Sequence, residues 1–246
     1  MDREEEPIGR HLPLRAAPGA CERWVEVDDE AALVALVRAS RAEKRTIRVL
    51  PPFSDALPPE AGLNGVVLRL GAGFERVEAA AHGLYVGASA PLALVGRRPG
   101  FEALSRAPGT LGDAVEEGWL APMIVRQRRF RGRSIEDVEA AEPDPKAIVV
   151  GAWLAPAKLP WAPRAGQAFL PIKRRDLAEL LRAQGLAGLR LGGAALGEDD
   201  PRVLVNRGDA TPRQIRLLLQ AARERVQVAT GIELVERLLP PGRGGR

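Results

Sequence analysis

Apolar and polar positions alternate over Trp24-Val25-Glu26-Val27, the signature of a half-buried strand. Asp28-Asp29 follow as N-cap residues, and Leu33, Val34, Leu36 and Val37 recur at helical spacing, so a helix with one buried stripe is predicted next. Ile47-Arg48-Val49-Leu50 returns to strand, and the three pieces together read as a β-α-β unit whose helix lies on a sheet. Val66-Val67-Leu68-Arg69-Leu70 and Leu84-Tyr85-Val86-Gly87-Ala88 continue the strand pattern between Gly and Pro turn signals. From about 99 to 145 the chain is weakly periodic and charged; Ala147 to Trp153 is strand again, and Pro156 to Pro163 has the proline density of a linker.

The last third is the most ordered pattern. A helix begins after Asp176, a Gly-rich stretch from Gly185 to Ala194 leads into Val203-Leu204-Val205-Asn206, and Thr211-Pro212-Arg213-Gln214 opens a second helix. Thr211 is the predicted cap, Pro212 occupies the first turn and Gln214 the capping-box position. Ile215, Leu218, Leu219, Ala222 and Val226 form one apolar face, Gly231 is the expected stop, and Gly231-Ile232-Glu233-Leu234 reads as a closing strand. The pattern implies an α+β protein with a two-part N-terminal module and a compact C-terminal domain, divided at 1–70, 71–160 and 161–246.

Composition narrows the chemistry. The 246 residues are 46% hydrophobic and 28% charged, enough for ordinary globular cores. No apolar run approaches the roughly 18 residues of a membrane span, and the acidic start Asp2-Arg3-Glu4-Glu5-Glu6 opposes a signal peptide, so a cytoplasmic protein with no membrane insertion is expected. Cys21 is the sole cysteine and His11 and His82 the sole histidines, which argues against a disulfide and against a metal site. The net charge is +4, with only four lysines, Lys44, Lys146, Lys158 and Lys173, a bias that reads as codon composition. Arg126, Arg128, Arg129, Arg131 and Arg133 form the densest cluster, either a phosphate-holding or nucleic-acid face or a solvated one; Phe130 is the one interleaved aromatic, which disfavours single-strand stacking and makes nucleic acid an unlikely partner.

The order and short words of the chain resemble the UDP-N-acetylenolpyruvoylglucosamine reductase (UDP-N-acetylmuramate dehydrogenase) family, strongly in the last third and weakly in the middle. That resemblance implies an FAD-binding N-terminal module of the vanillyl-alcohol-oxidase-like type, a C-terminal substrate-binding domain, FAD and NADPH as cofactors, and a UDP-sugar substrate in peptidoglycan precursor synthesis. Ala107-Pro108-Gly109-Thr110-Leu111-Gly112 matches the family's second flavin segment, so Pro108, Gly109, Thr110 and Gly112, with Ser54 from the first loop, are the cofactor-binding candidates. Arg133 and Glu236 match the catalytic arginine and glutamate, and Arg190 and Asn206 lie where substrate contacts are expected.

The same comparison exposes departures. The family's glycine-rich first loop is replaced by Pro51-Pro52-Phe53-Ser54-Asp55, and two prolines remove two possible N–H donors to a phosphate. Asp113 stands where another glycine is expected, with Glu116 and Glu117 close behind, so repulsion of a pyrophosphate is expected. Gln167 occupies the proton-donor position, and an amide cannot act as a general acid near neutral pH. The expectation is a divergent member that does not hold FAD tightly and is catalytically impaired, with a binding or regulatory role toward a UDP-sugar or a cell-wall synthesis protein. The alternative is an active FAD- and NADPH-dependent enzyme.

Overall fold

A computed structural model describes residues 2–7, 19–50, 57, 59–139, 143–144, 146–159, 163 and 166–237. The first sheet contains β1 (Asp2–Pro7), β2 (Ala20–Val27), β3 (Ile47–Val49) and β4 (Leu63–Leu70) in the order β1-β2-β4-β3. β2 and β3 each pair in parallel with β4, and α1 (Glu30–Ala42) makes the crossover between them. Asp29 caps α1 by accepting from the Ala32 N–H, and Leu33 and Val37 face the core with Val34 and Leu36 packed against its margin. The opposite face of this sheet closes over Cys21, Trp24, Leu50, Leu63 and Val67.

A five-stranded antiparallel sheet follows: β5 (Val77–Ala80), β6 (Gly83–Gly87), β7 (Ile124–Arg131), β8 (Ser134–Val138) and β9 (Ile148–Leu154), in the order β5-β6-β9-β7-β8. Two short helices, α2 (Leu92–Val95) and α3 (Leu111–Glu117), lie between β6 and β7. The first and second sheets share one core, from Val25, Leu33 and Leu68 through Val86 and Leu111 to Phe130 and Val150. Arg128 ties them at the rim by pairing with Glu30 at the start of α1, at 2.6 and 3.0 Å.

The C-terminal third has its own core beneath α4 (Leu177–Ala183) and α5 (Pro212–Thr230), which pack near a small sheet of β10 (Arg190–Leu191), β11 (Ala194–Leu196) and β12 (Leu204–Asn206). Thr211 and Gln214 form the expected capping box; Ile215, Leu218, Leu219, Ala222 and Val226 are buried; and Gly231 takes a left-handed φ of 70° at the helix end. The expected closing strand does not form. Residues 231–234 are irregular, and the chain instead makes an isolated bridge between Phe169 and Glu236, with the Leu170 N–H donating to Val235 and the Arg237 N–H to Ala168. Among the described residues no helix is long and apolar enough to cross a membrane, and no group of three or more His, Cys, Asp or Glu side chains is arranged for a metal ion.

Candidate functional site

Between the first two sheets runs a groove with two unequal ends that share Val49 of β3. The outer end is a cavity of about 360 Å³ whose floor is apolar, from Val37, Ile47, Phe130 and Ile148 among others, and whose edge carries Arg41, Lys44, Arg45 and Lys146. The inner end, between Leu70, Ala88, Ser89, Gly112 and Glu116, has only about 10 Å³ of free space, room for roughly one water molecule. The walls follow from topology: β3 and α1 present one side, and β7 and β9 the other.

The turn matching the second flavin segment builds the inner end. Gly109 has a φ of 78°, a conformation that glycine adopts without strain, and its carbonyl accepts from the Leu92 N–H. The Gly112 N–H donates to the Ala88 carbonyl, so Gly112 lies against β6 and lines the groove. Thr110 is fully buried and caps α3, exchanging hydrogen bonds with Asp113. Its hydroxyl is therefore used by the fold, and Pro108, two residues before it, does not line the groove. Ser54 lies outside the described residues, as do Pro51, Pro52 and Phe53.

Asp113 does not face the groove as an added charge. Its carboxylate turns back to accept from the Thr110 N–H at 2.9 Å and the Thr110 hydroxyl at 3.0 Å. Burial pushes its pKa up to about 8, against the pull of the Thr110 hydrogen bonds, so the group is mostly uncharged at neutral pH. Glu117 is also turned away: both its oxygens accept from the Arg237 guanidinium, at 2.8 and 3.1 Å. Of the three acids expected to repel a pyrophosphate, Glu116 alone lines the groove.

The arginine cluster is largely compensated within the fold. Arg128 pairs with Glu30 and Asp137, Arg129 lies 3.6 Å from Glu136 and 3.9 Å from Asp144, Arg131 lies 3.5 Å from Asp144, and Arg126 stands 5.8 Å over the Trp153 ring. Arg133 is exposed at the β7–β8 turn, next to Gly132, which lines the basic cavity.

The other family-matched residues gather in the C-terminal unit. Gln167 is buried, bridges to Val203, and donates its amide N–H to the Phe169 carbonyl at 2.8 Å. Glu236 pairs with Phe169 through the backbone and accepts from Arg223 at 3.1 Å. The proton-donor and glutamate positions thus stand on adjoining segments, while Arg133 belongs to a separate hairpin. Asn206 uses its side-chain oxygen to accept from the Gly208 and Ala210 N–H groups, which makes it the organiser of a turn; Arg190 is exposed on β10. Sequence reasoning missed the basic edge of the outer cavity, because Lys146 and the end of α1 meet only through the sheet packing.

Residues 156–238 match the family model for the C-terminal domain of UDP-N-acetylenolpyruvoylglucosamine reductase. The chain is 30% identical to the UDP-N-acetylenolpyruvoylglucosamine reductase of Rhodospirillum rubrum over 244 residues, covering 80% of this chain and 76% of that protein. It is 28% identical to the protein of the same name from Heliobacterium modesticaldum over 290 residues, covering 98% and 91%. That alignment is longer than the chain itself, so the relative carries stretches this protein lacks. The crystal structure of UDP-N-acetylenolpyruvylglucosamine reductase from Thermus caldophilus superposes with a TM-score of 0.75 at 21% identity, covering 98% of each chain, and establishes the shared fold. On these matches, the chain belongs to the UDP-N-acetylenolpyruvoylglucosamine reductase family.

Proposed function

We propose that the protein acts in cytoplasmic peptidoglycan precursor synthesis as a divergent reductase that holds FAD loosely, turns over poorly or not at all, and retains a role in binding a UDP-sugar or a cell-wall synthesis protein. The observation that carries this reading is Gln167. Its amide is buried and committed to the Phe169 carbonyl, and it has no proton to give a carbanion at the position where the family places its acid. The fit of FAD to the described residues is partial. The outer cavity has the size and apolar floor for a nucleoside, whereas the inner end would have to part widely before a flavin ring system could enter. Bound FAD would supply hydride transfer, and Gly112 and Ser89 are among the described residues of the inner end that would hold it. The proposed division at 1–70, 71–160 and 161–246 gives each unit one of the three sheets.

A second reading, an active enzyme using NADPH, is favoured by one feature: Glu236 and Gln167 flank Phe169 on adjoining segments, so the glutamate and donor positions keep their proximity. The visible spectrum of the purified protein, taken after loading with FAD and gel filtration, separates the two. The first reading expects no retained flavin absorbance and no NADPH oxidation on adding the enolpyruvyl UDP-sugar. Stoichiometric flavin with substrate-dependent NADPH oxidation overturns it.

A further inference from the structure

The two large cores of the molecule are nearly independent. One runs through the first two sheets as far as Leu154, with Ala157 and Leu159 packed against it; the other lies in the C-terminal third. Among the described residues, no helix or strand of the C-terminal unit packs extensively on an element of the first two sheets. Units joined in this way move relative to one another unless particular contacts hold them.

Leu57 breaks the division. It belongs to the segment between β3 and β4, yet it is 8% exposed and buried in the C-terminal core, the cluster that holds Phe169 and Leu218. Three residues on, Glu60 reaches the same unit: its carboxylate accepts from the Arg213 N–H at 3.2 Å, in the first turn of α5. Thr211 accepts from the Gln214 N–H and Pro212 has none to offer, so Glu60 supplies the acceptor that this turn lacks from its own unit. A carboxylate is also the charge that suits the positive end of a 19-residue helix. The near end of the segment is fixed to the first sheet. The Pro59 carbonyl accepts from the Gly62 N–H, and Gly62, at a φ of 82°, lies so close to the Ala20 carbonyl that a Cβ would collide with it.

We infer that residues 57–60 are a strap that latches the C-terminal unit onto the flavin-type module, so that the position of the segment after β3 and the docking of the unit control one another. The Glu117–Arg237 pair is a second tie to the same unit. It is well separated from the first, because Arg237 adjoins Glu236, and Glu236 accepts from Arg223, about 15 Å along α5 from Arg213. Two ties on one rigid unit are linked: loosening either raises the fraction of time for which both are open. The inference goes beyond the proposed function, since it requires neither flavin nor turnover. It connects the segment in which the family's glycines are replaced with the unit that carries Gln167 and Glu236.

Hydrogen–deuterium exchange of the full-length protein, read by mass spectrometry, tests the strap in Glu60→Ala, Leu57→Ala and Glu117→Ala. Glu60→Ala removes one exposed hydrogen bond and is expected to speed exchange by about threefold or more, at Arg213 and also at Glu117 and Gly118 beside the far tie. Glu117→Ala is expected to speed exchange at Arg213 and Gly62, and Leu57→Ala, which removes a buried side chain, to act at both places by a larger factor. The amides of 218–226 in α5 should keep the parent's rates in Glu60→Ala, which shows that the unit loosens without unfolding. Acceleration confined to the tie that was altered overturns the inference. So does acceleration of 218–226 in step with Arg213 in Glu60→Ala, which would make 57–60 part of the C-terminal fold and not a latch on it.

Discussion

Asp113 holds a proton in the folded protein that it would release on unfolding. Burial is the main cause, reinforced by Glu117 and Glu116 and opposed by the Thr110 hydrogen bonds. A folded pKa of about 8 lies above the ordinary 3.8, so the contribution to stability is complete below about pH 4, declines as pH rises, and is lost by about pH 8. The slope across that window reaches up to about 1.4 kcal/mol per pH unit. Asp113→Asn keeps an oxygen for the Thr110 N–H and removes the titration. Its melting temperature should therefore stay level over the window in which the parent's falls, with the variant the more stable near pH 8; parallel pH profiles for the two proteins would refute the assignment. In the sequence, Asp113 reads as a charge intruding on a glycine turn. The Thr110-to-Asp113 spacing was the available signal for a cap, but the burial that neutralises the carboxyl depends on β6 and β9 packing above it, which no local spacing encodes.

At the scale of elements, legibility follows whether the partners are local. α5 was readable in full, because its cap, its stripe and its stop all lie within its own 19 residues or beside them. Thr211→Ala removes the oxygen that accepts from the Gln214 N–H and should cost about 1 kcal/mol, seen as a lowered denaturation midpoint; an unchanged midpoint would mean that Pro212 and the apolar stripe hold the helix start alone. β7 was not readable. Its arginines suit a half-buried strand only because Glu30, Asp137, Glu136 and Asp144 meet them from α1, β8 and the segment before β9. β1 escaped for the opposite reason: it is a highly charged edge strand, exposed at Asp2, Arg3, Glu4 and Glu5, that shows no apolar alternation, a composition that discourages pairing with other chains. The closing strand was expected over Gly231-Ile232-Glu233-Leu234, yet Leu234 turns into the core while the backbone pairs one residue at a time with 168–170.

Over the whole molecule, the C-terminal unit is joined to the flavin-type module through the end of the helix whose start lines the groove. Arg237, with 5% of its side chain exposed, donates two hydrogen bonds to Glu117, with 12% exposed, at the last residue of α3. The adjoining residue is Glu236, and the Arg237 backbone is fixed by the Ala168 carbonyl, so this ion pair anchors the segment that carries the glutamate and donor positions. A buried pair of this kind adds little over a well-packed apolar pair, because desolvation offsets most of the attraction, but breaking it from one side leaves a charge without its partner. Glu117→Ala should therefore destabilise the protein by about 3–5 kcal/mol in chemical denaturation, while Glu117→Leu combined with Arg237→Met should cost much less than either change alone. Additive losses in that double-mutant cycle would show that the two residues act separately and that the docking of the C-terminal unit rests on its apolar contacts. A coupled result would instead give the pair a positional role, and it would explain why two acids that read as hostile to an anionic ligand are both turned away from the groove: one caps α3 and the other ends it against Arg237.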